Sequence, residues 1–152
     1  MNLNVLLSRA ISTAAYVHAS QLDKAGQPYI LHPLRVMMAV TTIEEKIVAV
    51  LHDVMEDSDI TIEELRQDGY PLNILIALDH LEHRKYESYG SYIRRVVTDV
   101  LASRVKVEDL KDNMNALRLP EMTSRDAARI IKYNKALQLI LKERGWTLQP
   151  WS

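Results

Sequence analysis

Apolar residues along this chain recur at intervals of three and four and hardly ever alternate. Leu7, Ile11, Ala14 and Val17 form one such stripe, the spacing at which side chains share one face of an α-helix. Only four glycines interrupt 152 residues, so long stretches are free to stay helical. At 47% hydrophobic residues, the chain can enclose one ordinary core. These features predict an all-α fold, a compact single domain of seven or eight helices. Its core runs from about residue 4 to 145, with an irregular tail over 146–152 whose tryptophans, Trp146 and Trp151, pack on the body or on a partner.

Start and stop signals place the helices. The first runs from about Asn4 to Ser20, and "QLDKAGQPYI" follows as a loop broken by Gly26 and Pro28. Pro33 suits the first turn of a second helix, "HPLRVMMAV", because its missing N–H is no loss there. Thr41 or Thr42 followed by Glu44 and Glu45 starts a third helix, which the pattern carries on to about Asp57. Thr61 with Glu64, closed by Gly69, repeats the device. Further helices are expected from Pro71 to Glu82, Ser88 to Asp99, Leu101 to Asn115 and Ser124 to Arg144, the last stopped by Gly145.

Composition narrows the chemistry. Nineteen basic and 20 acidic residues give a net charge of −1, which argues against a dedicated nucleic-acid or membrane-surface binder. No cysteine is present, so disulfides, thiol nucleophiles and thiolate metal sites are excluded. No apolar run approaches the roughly 20 residues that span a bilayer, and the N-terminus lacks the pattern of a secretion signal. A cytoplasmic protein is the expectation.

One segment does not fit a plain core helix. "AVLHDVMEDSD" sets His52, Asp53, Glu56 and Asp57 into an apolar run, and buried charge is costly unless it is paired or bound to a metal. At helical spacing these four share a roughly contiguous face. The pair His52–Asp53 offers one nitrogen and one oxygen ligand, a set that suits zinc, manganese, iron or another first-row divalent ion. His32 beside Pro33, and Asp109 in "VKVEDLKDNMN", complete a candidate site of two imidazoles and two carboxylates. Glu56 and Asp57, one turn beyond, are placed to orient a water or relay its proton. Plainer readings stand beside these. A lone His-Asp pair is common, acidic helix faces are usually solvated, His18 suits a hydrogen-bonded core position, and His80 and His83 suit a solvated face.

Three segments taken together, "HASQLDKAGQPYILHPLRV", "VAVLHDVMEDSDIT" and "VKVEDLKDNMN", resemble the HD-domain metal-dependent phosphohydrolases. Within these the chain is most similar to the hydrolase domain of the RelA/SpoT family, in the form of a single-domain small alarmone hydrolase, over about Ala10 to Leu141. That domain removes the 3′-pyrophosphate of (p)ppGpp. The resemblance implies one divalent ion, manganese, on His32, His52, Asp53 and Asp109, and a catalytic pair at Glu56 and Asp57. It also implies substrate contacts from Lys24, Tyr29 and Asn113. Arg84 and Lys85, in the basic segment "HRKYESYGSYIRR", are expected to steer the phosphates. Where the family commonly reads "RKSGEPYI", this chain has "DKAGQPYI". Asp23 therefore replaces an arginine that packs on guanine, and Ala25 replaces a serine.

The implied function is metal-dependent hydrolysis of an alarmone's 3′-pyrophosphate, with the base left open by Asp23. The partner is a small-molecule nucleotide. The alternatives are a phosphatase on another nucleotide, an adenine alarmone or an NADPH-type phosphate, and an inactive nucleotide-binding module. Neither metal identity nor oligomeric state can be read from the sequence.

Overall fold

A computed structural model describes residues 2–148; Trp151 lies outside them. Eight α-helices are present among the described residues: α1 (Leu3–Val17), α2 (Leu31–Ala39), α3 (Ile43–Leu51), α4 (Ile62–Gln67), α5 (Leu72–Leu81), α6 (Tyr89–Val96), α7 (Val100–Asn113) and α8 (Ser124–Arg144). A single 3₁₀ turn, Ala116–Arg118, links α7 to α8. The expected all-α fold is therefore the observed one.

The helix starts follow the local chemistry. Thr42 and Glu45 form a reciprocal capping box at α3, Thr61 and Glu64 another at α4, and Thr123 and Asp126 a third at α8. Each satisfies backbone donors that a bare helix end leaves unpaired. At the far end of α8, Gly145 adopts φ 67°, the left-handed conformation that closes a helix and that a residue without Cβ adopts at no steric cost.

α3 lies at the centre and packs against α1, α2, α5 and α7. Ile47, Val48, Ala49, Val50 and Leu51 are all buried. A helix apolar on every side is one enclosed on every side. α7 is the second internal helix, in contact with α2, α3, α5, α6 and α8. Lys46 ties α3 to its neighbour by donating to the carbonyls of Met37 and Val40, at 3.1 and 2.7 Å, near the end of α2. Trp146 packs on the core, its ring 4.7 Å from the Arg104 guanidinium.

One expectation fails in an informative place. α3 stops at Leu51 rather than running to Asp57, and residues 52–59 continue as turns and bends. The cause is local: the His52 ring Nδ1 lies 2.5 Å from the Ala49 carbonyl oxygen. In a continuing helix that oxygen would accept the Asp53 amide, so the side chain competes with the backbone for it and the helix ends. His52, Asp53, Glu56 and Asp57 do not share a helix face.

Candidate metal centre and adjoining cavity

The buried end of α3, the start of α2 and the last turn of α7 converge. They bring His52, His32 and Asp109 together, only 5%, 5% and 4% exposed. Each offers one ligand atom within 4.8 Å of the others'. The His32 Nε2 lies 3.0 Å from Asp109 Oδ1, and the His52 Nε2 lies 3.3 Å from the same oxygen. Asp53 joins from the turn after α3, its Oδ2 3.2 Å from His52 Nε2 and 3.8 Å from His32 Nε2. Three of the four residues expected from the sequence, His32, His52 and Asp109, thus form one candidate triad, and Asp53 lies beside it.

The opposite nitrogen of each ring is tied down. His52 Nδ1 donates to the Ala49 carbonyl, and His32 Nδ1 lies 2.6 Å from Asp112 Oδ2. Both Nε2 atoms are thereby directed inward, the arrangement that orients histidines toward a metal. His52 Nε2 is buried and has no hydrogen-bond partner. His32, His52 and Asp109 form a buried triad whose donor set fits a divalent ion. Protons are the alternative occupants. Burial opposes charge on both histidines, but Asp109 and Asp112 raise His32, and Asp53 and Asp109 raise His52 well above the usual imidazole range. Burial would push Asp109 up as well. Lys106, 2.8 Å from its Oδ2, and the two histidines outweigh that and hold it well below the usual carboxylate range.

Supporting contacts surround this centre. The Tyr29 hydroxyl donates to Asp53 Oδ2 at 2.5 Å; burial and that carboxylate push the phenol up, so it stays a donor. Asn113 Nδ2 donates to Asp109 Oδ1 at 2.9 Å. Tyr29 and Asn113, expected as substrate contacts, also position the acids. Asp112 is not among the residues expected from the sequence. Besides His32 it takes Arg35 Nε at 2.8 Å and Arg118 Nη1 at 3.4 Å, and burial is outweighed by His32 and Arg35, which lower its pKa. Its position three residues after Asp109, on the same helical face, was the available signal.

Glu56 and Asp57 flank the centre. Glu56 Oε1 accepts the His83 backbone N–H at 3.3 Å, and burial of the inner side of the carboxyl raises its pKa. Asp57 Oδ2 lies 3.6 Å from Nδ1 of the buried His18, whose ring also meets Tyr29 at 5.0 Å between centroids. His83, set aside in the sequence reading, stacks on Tyr92 at 4.7 Å.

A cavity of about 300 Å³ opens beside the centre, lined by Tyr29 and Asn113 and by the loop residues Leu22, Asp23, Lys24 and Ala25. Arg118, Arg129, Ile130 and Tyr133 form the facing wall. Burial and the nearby Arg129 lower the pKa of Lys24, which remains the cation expected there. Arg84 and Lys85 are not on this wall. Arg84 pairs with Asp79 at 3.2 Å, and Lys85 lies 5.4 Å from the exposed Tyr86 ring. Besides Lys24, the basic groups at the cavity are Arg118 and Arg129, which reach it only through the turn after α7 and the first turns of α8.

No family model matches the chain. A relative named probable GTP pyrophosphokinase, from Mycobacterium leprae, is 32% identical over 171 aligned positions, covering 99% of this chain and 21% of the relative. The guanosine-3′,5′-bis(diphosphate) 3′-pyrophosphohydrolase of Aquifex aeolicus is 32% identical over 122 positions, covering 73% and 18%. The bifunctional (p)ppGpp synthase/hydrolase SpoT of Escherichia coli is 30% identical over 125 positions, covering 73% and 18%. The chain spans about a fifth of the length of these relatives. A solved structure of a metazoan ortholog of SpoT, which hydrolyses ppGpp and plays a role in starvation responses, shares the fold. Its TM-score is 0.64 at 20% identity, covering 93% of this chain and 97% of that one. No described helix is long and apolar enough to cross a membrane.

Proposed function

We propose, from the premise that this chain is an HD-type hydrolase domain of the RelA/SpoT family, that it hydrolyses the 3′-pyrophosphate of an alarmone nucleotide such as (p)ppGpp. The observation that carries this reading is the pair of buried imidazoles with both Nε2 atoms turned onto Asp53 and Asp109, beside a cavity walled by cations. His32, His52, Asp53 and Asp109 would hold one divalent ion, manganese in this proposal. When bound, such an ion supplies charge stabilisation and an activated water.

The chain's own groups supply the rest. Glu56 Oε1 is occupied by the His83 amide, which leaves Oε2 to take the proton of the attacking water. A carboxyl raised by burial is a better base than an ordinary one, because its pKa lies nearer neutral pH. Asp57, beside His18, would orient that water from the other side. Lys24 and Arg129 bind the phosphates at the cavity. Tyr29 keeps Asp53 in place throughout.

The test is a nucleotide panel assayed with manganese and read for both phosphate and pyrophosphate. Pyrophosphate should be released from ppGpp, and Asp53→Ala should lower that rate at least about a hundredfold. Free phosphate as the product would replace this reading with a phosphomonoesterase. Absence of turnover on every nucleotide would sink the hydrolase.

A further inference from the structure

Building on the reading of the cavity as a nucleotide pocket, we propose that Asp23 reads the base. Its carboxylate is a fixed acceptor for an N–H edge, so the pocket takes bases that present an amino or imide donor and selects only weakly between adenine and guanine.

The loop makes this carboxylate rigid. Asp23 Oδ1 accepts the backbone N–H of Ala25 and of Gln27, each at 2.9 Å. The Asp23 amide donates to the Gln27 carbonyl at 2.8 Å, its carbonyl accepts from Gly26 at 3.0 Å, and Gly26 turns the chain at φ 79°. All of this chemistry uses Oδ1 and the main chain. Oδ2 has no protein partner among the described residues, and Asp23 lines the cavity.

Other groups on the wall are committed elsewhere. The Tyr29 hydroxyl serves Asp53, and the Asp126 carboxylate takes Thr123 and Arg129. Arg118 is held by Asp112. Asn113 is bound to Asp109 and so belongs to the metal end. Lys24, which makes no ion pair among the described residues, is the cation best suited to phosphate, and Arg129 is shared with Asp126. Asp126 is already paired with Arg129, so the unpaired Asp23 Oδ2 is the carboxylate oxygen that repels phosphate most and is left for a base donor. Leu22 and Ala25 beside it, with Leu119 and Ile130, supply apolar surface for the faces of a ring.

A single carboxylate oxygen can accept from the 6-amino group of adenine or from N1–H or the 2-amino group of guanine. Unsubstituted purine offers neither. A site that presents a charged acceptor rejects a ligand that cannot donate to it, because the acceptor is then desolvated without a partner.

The experiment uses the 3′-pyrophosphorylated 5′-diphosphates of guanosine, adenosine and purine riboside with the manganese-loaded protein. Dissociation constants are measured on Glu56→Gln, and kcat/KM on the otherwise unchanged chain. Guanine and adenine forms should agree within about tenfold, and the purine form should be weaker by about 10- to 100-fold. Asp23→Asn keeps the loop through its amide oxygen. It should narrow the gap between the guanine and adenine forms and the purine form to within about threefold, whatever the shared change in affinity from the lost charge. Equal binding of all three, a preference between guanine and adenine above about a hundredfold, or an unaltered ranking in Asp23→Asn would overturn the assignment. The two readings fail separately: the predicted binding pattern without turnover removes the hydrolase and keeps Asp23. Turnover without the pattern does the reverse, and no binding at all removes both.

Discussion

Asp112 sits at the junction of three demands. It fixes the tautomer and ring direction of His32, and it neutralises Arg35 and Arg118. Partners of this kind commonly set 10- to 100-fold in metal affinity. Asp112→Asn should therefore weaken manganese binding by about that factor in calorimetry without nucleotide, with helix content by circular dichroism unchanged. At this scale the sequence was legible where chemistry was carried by contiguous motifs: those that carry His32, His52 and Asp109 supply the three residues that the fold gathers into one triad. It was less legible where a role depends on a partner remote in sequence. Arg84 and Lys85 sit in a basic run, yet the fold turns them to Asp79 and to solvent. Arg118 and Arg129 carry no local signal, and only the packing of α8 on α7 brings them to the cavity. Asp112 stood in plain view, and periodicity alone could have paired it with Asp109.

Among the elements, starts were easier to read than ends. The capping boxes at α3 and α4 are written in four consecutive residues each, and both formed as expected. The end of α3 depends on a ring nitrogen reaching back to Ala49, a bond that the apolar pattern does not encode. A second element-level device is the clamp on the loop between α5 and α6. Arg95 makes a two-pronged pair with Glu87 at 2.7 and 2.9 Å and donates to the carbonyls of Asp79, His80 and Glu82. That loop carries the His83 amide that holds Glu56. Arg95 lowers the Glu87 pKa to about 2. A depressed folded-state pKa means the stabilisation is present above the unfolded value, about 4.3, and is lost as pH falls through the folded one. Thermal melts between pH 5 and pH 2 should therefore show a shallower loss of stability for Glu87→Gln than for the parent chain, with the variant already less stable at pH 7.

Over the whole molecule, the proposed metal site draws on α2, the turn after α3, and α7, so an ion held there binds only the folded chain. An ion at a hundred times its dissociation constant adds about 2.7 kcal/mol. For a chain of this size that corresponds to a rise in Tm of roughly 5 to 11 °C. Chelator should reverse the rise, and His52→Ala should abolish it; scanning calorimetry with and without manganese decides. The fold class and the order of helices were legible, because an amphipathic chain with few glycines has few other solutions. The cavity was not, since no stretch of sequence contains it.

The bond from His32 to Asp112 spans 80 positions. Closing so long a loop is entropically costly, and contacts of that kind form late, after the core helices have met. The ion would then stabilise an arrangement absent from the transition state. Its benefit falls on the unfolding rate, which slows, while the folding rate stays as it was. A metal centre built on such a contact would act as a lock fitted after assembly, with no part in guiding it.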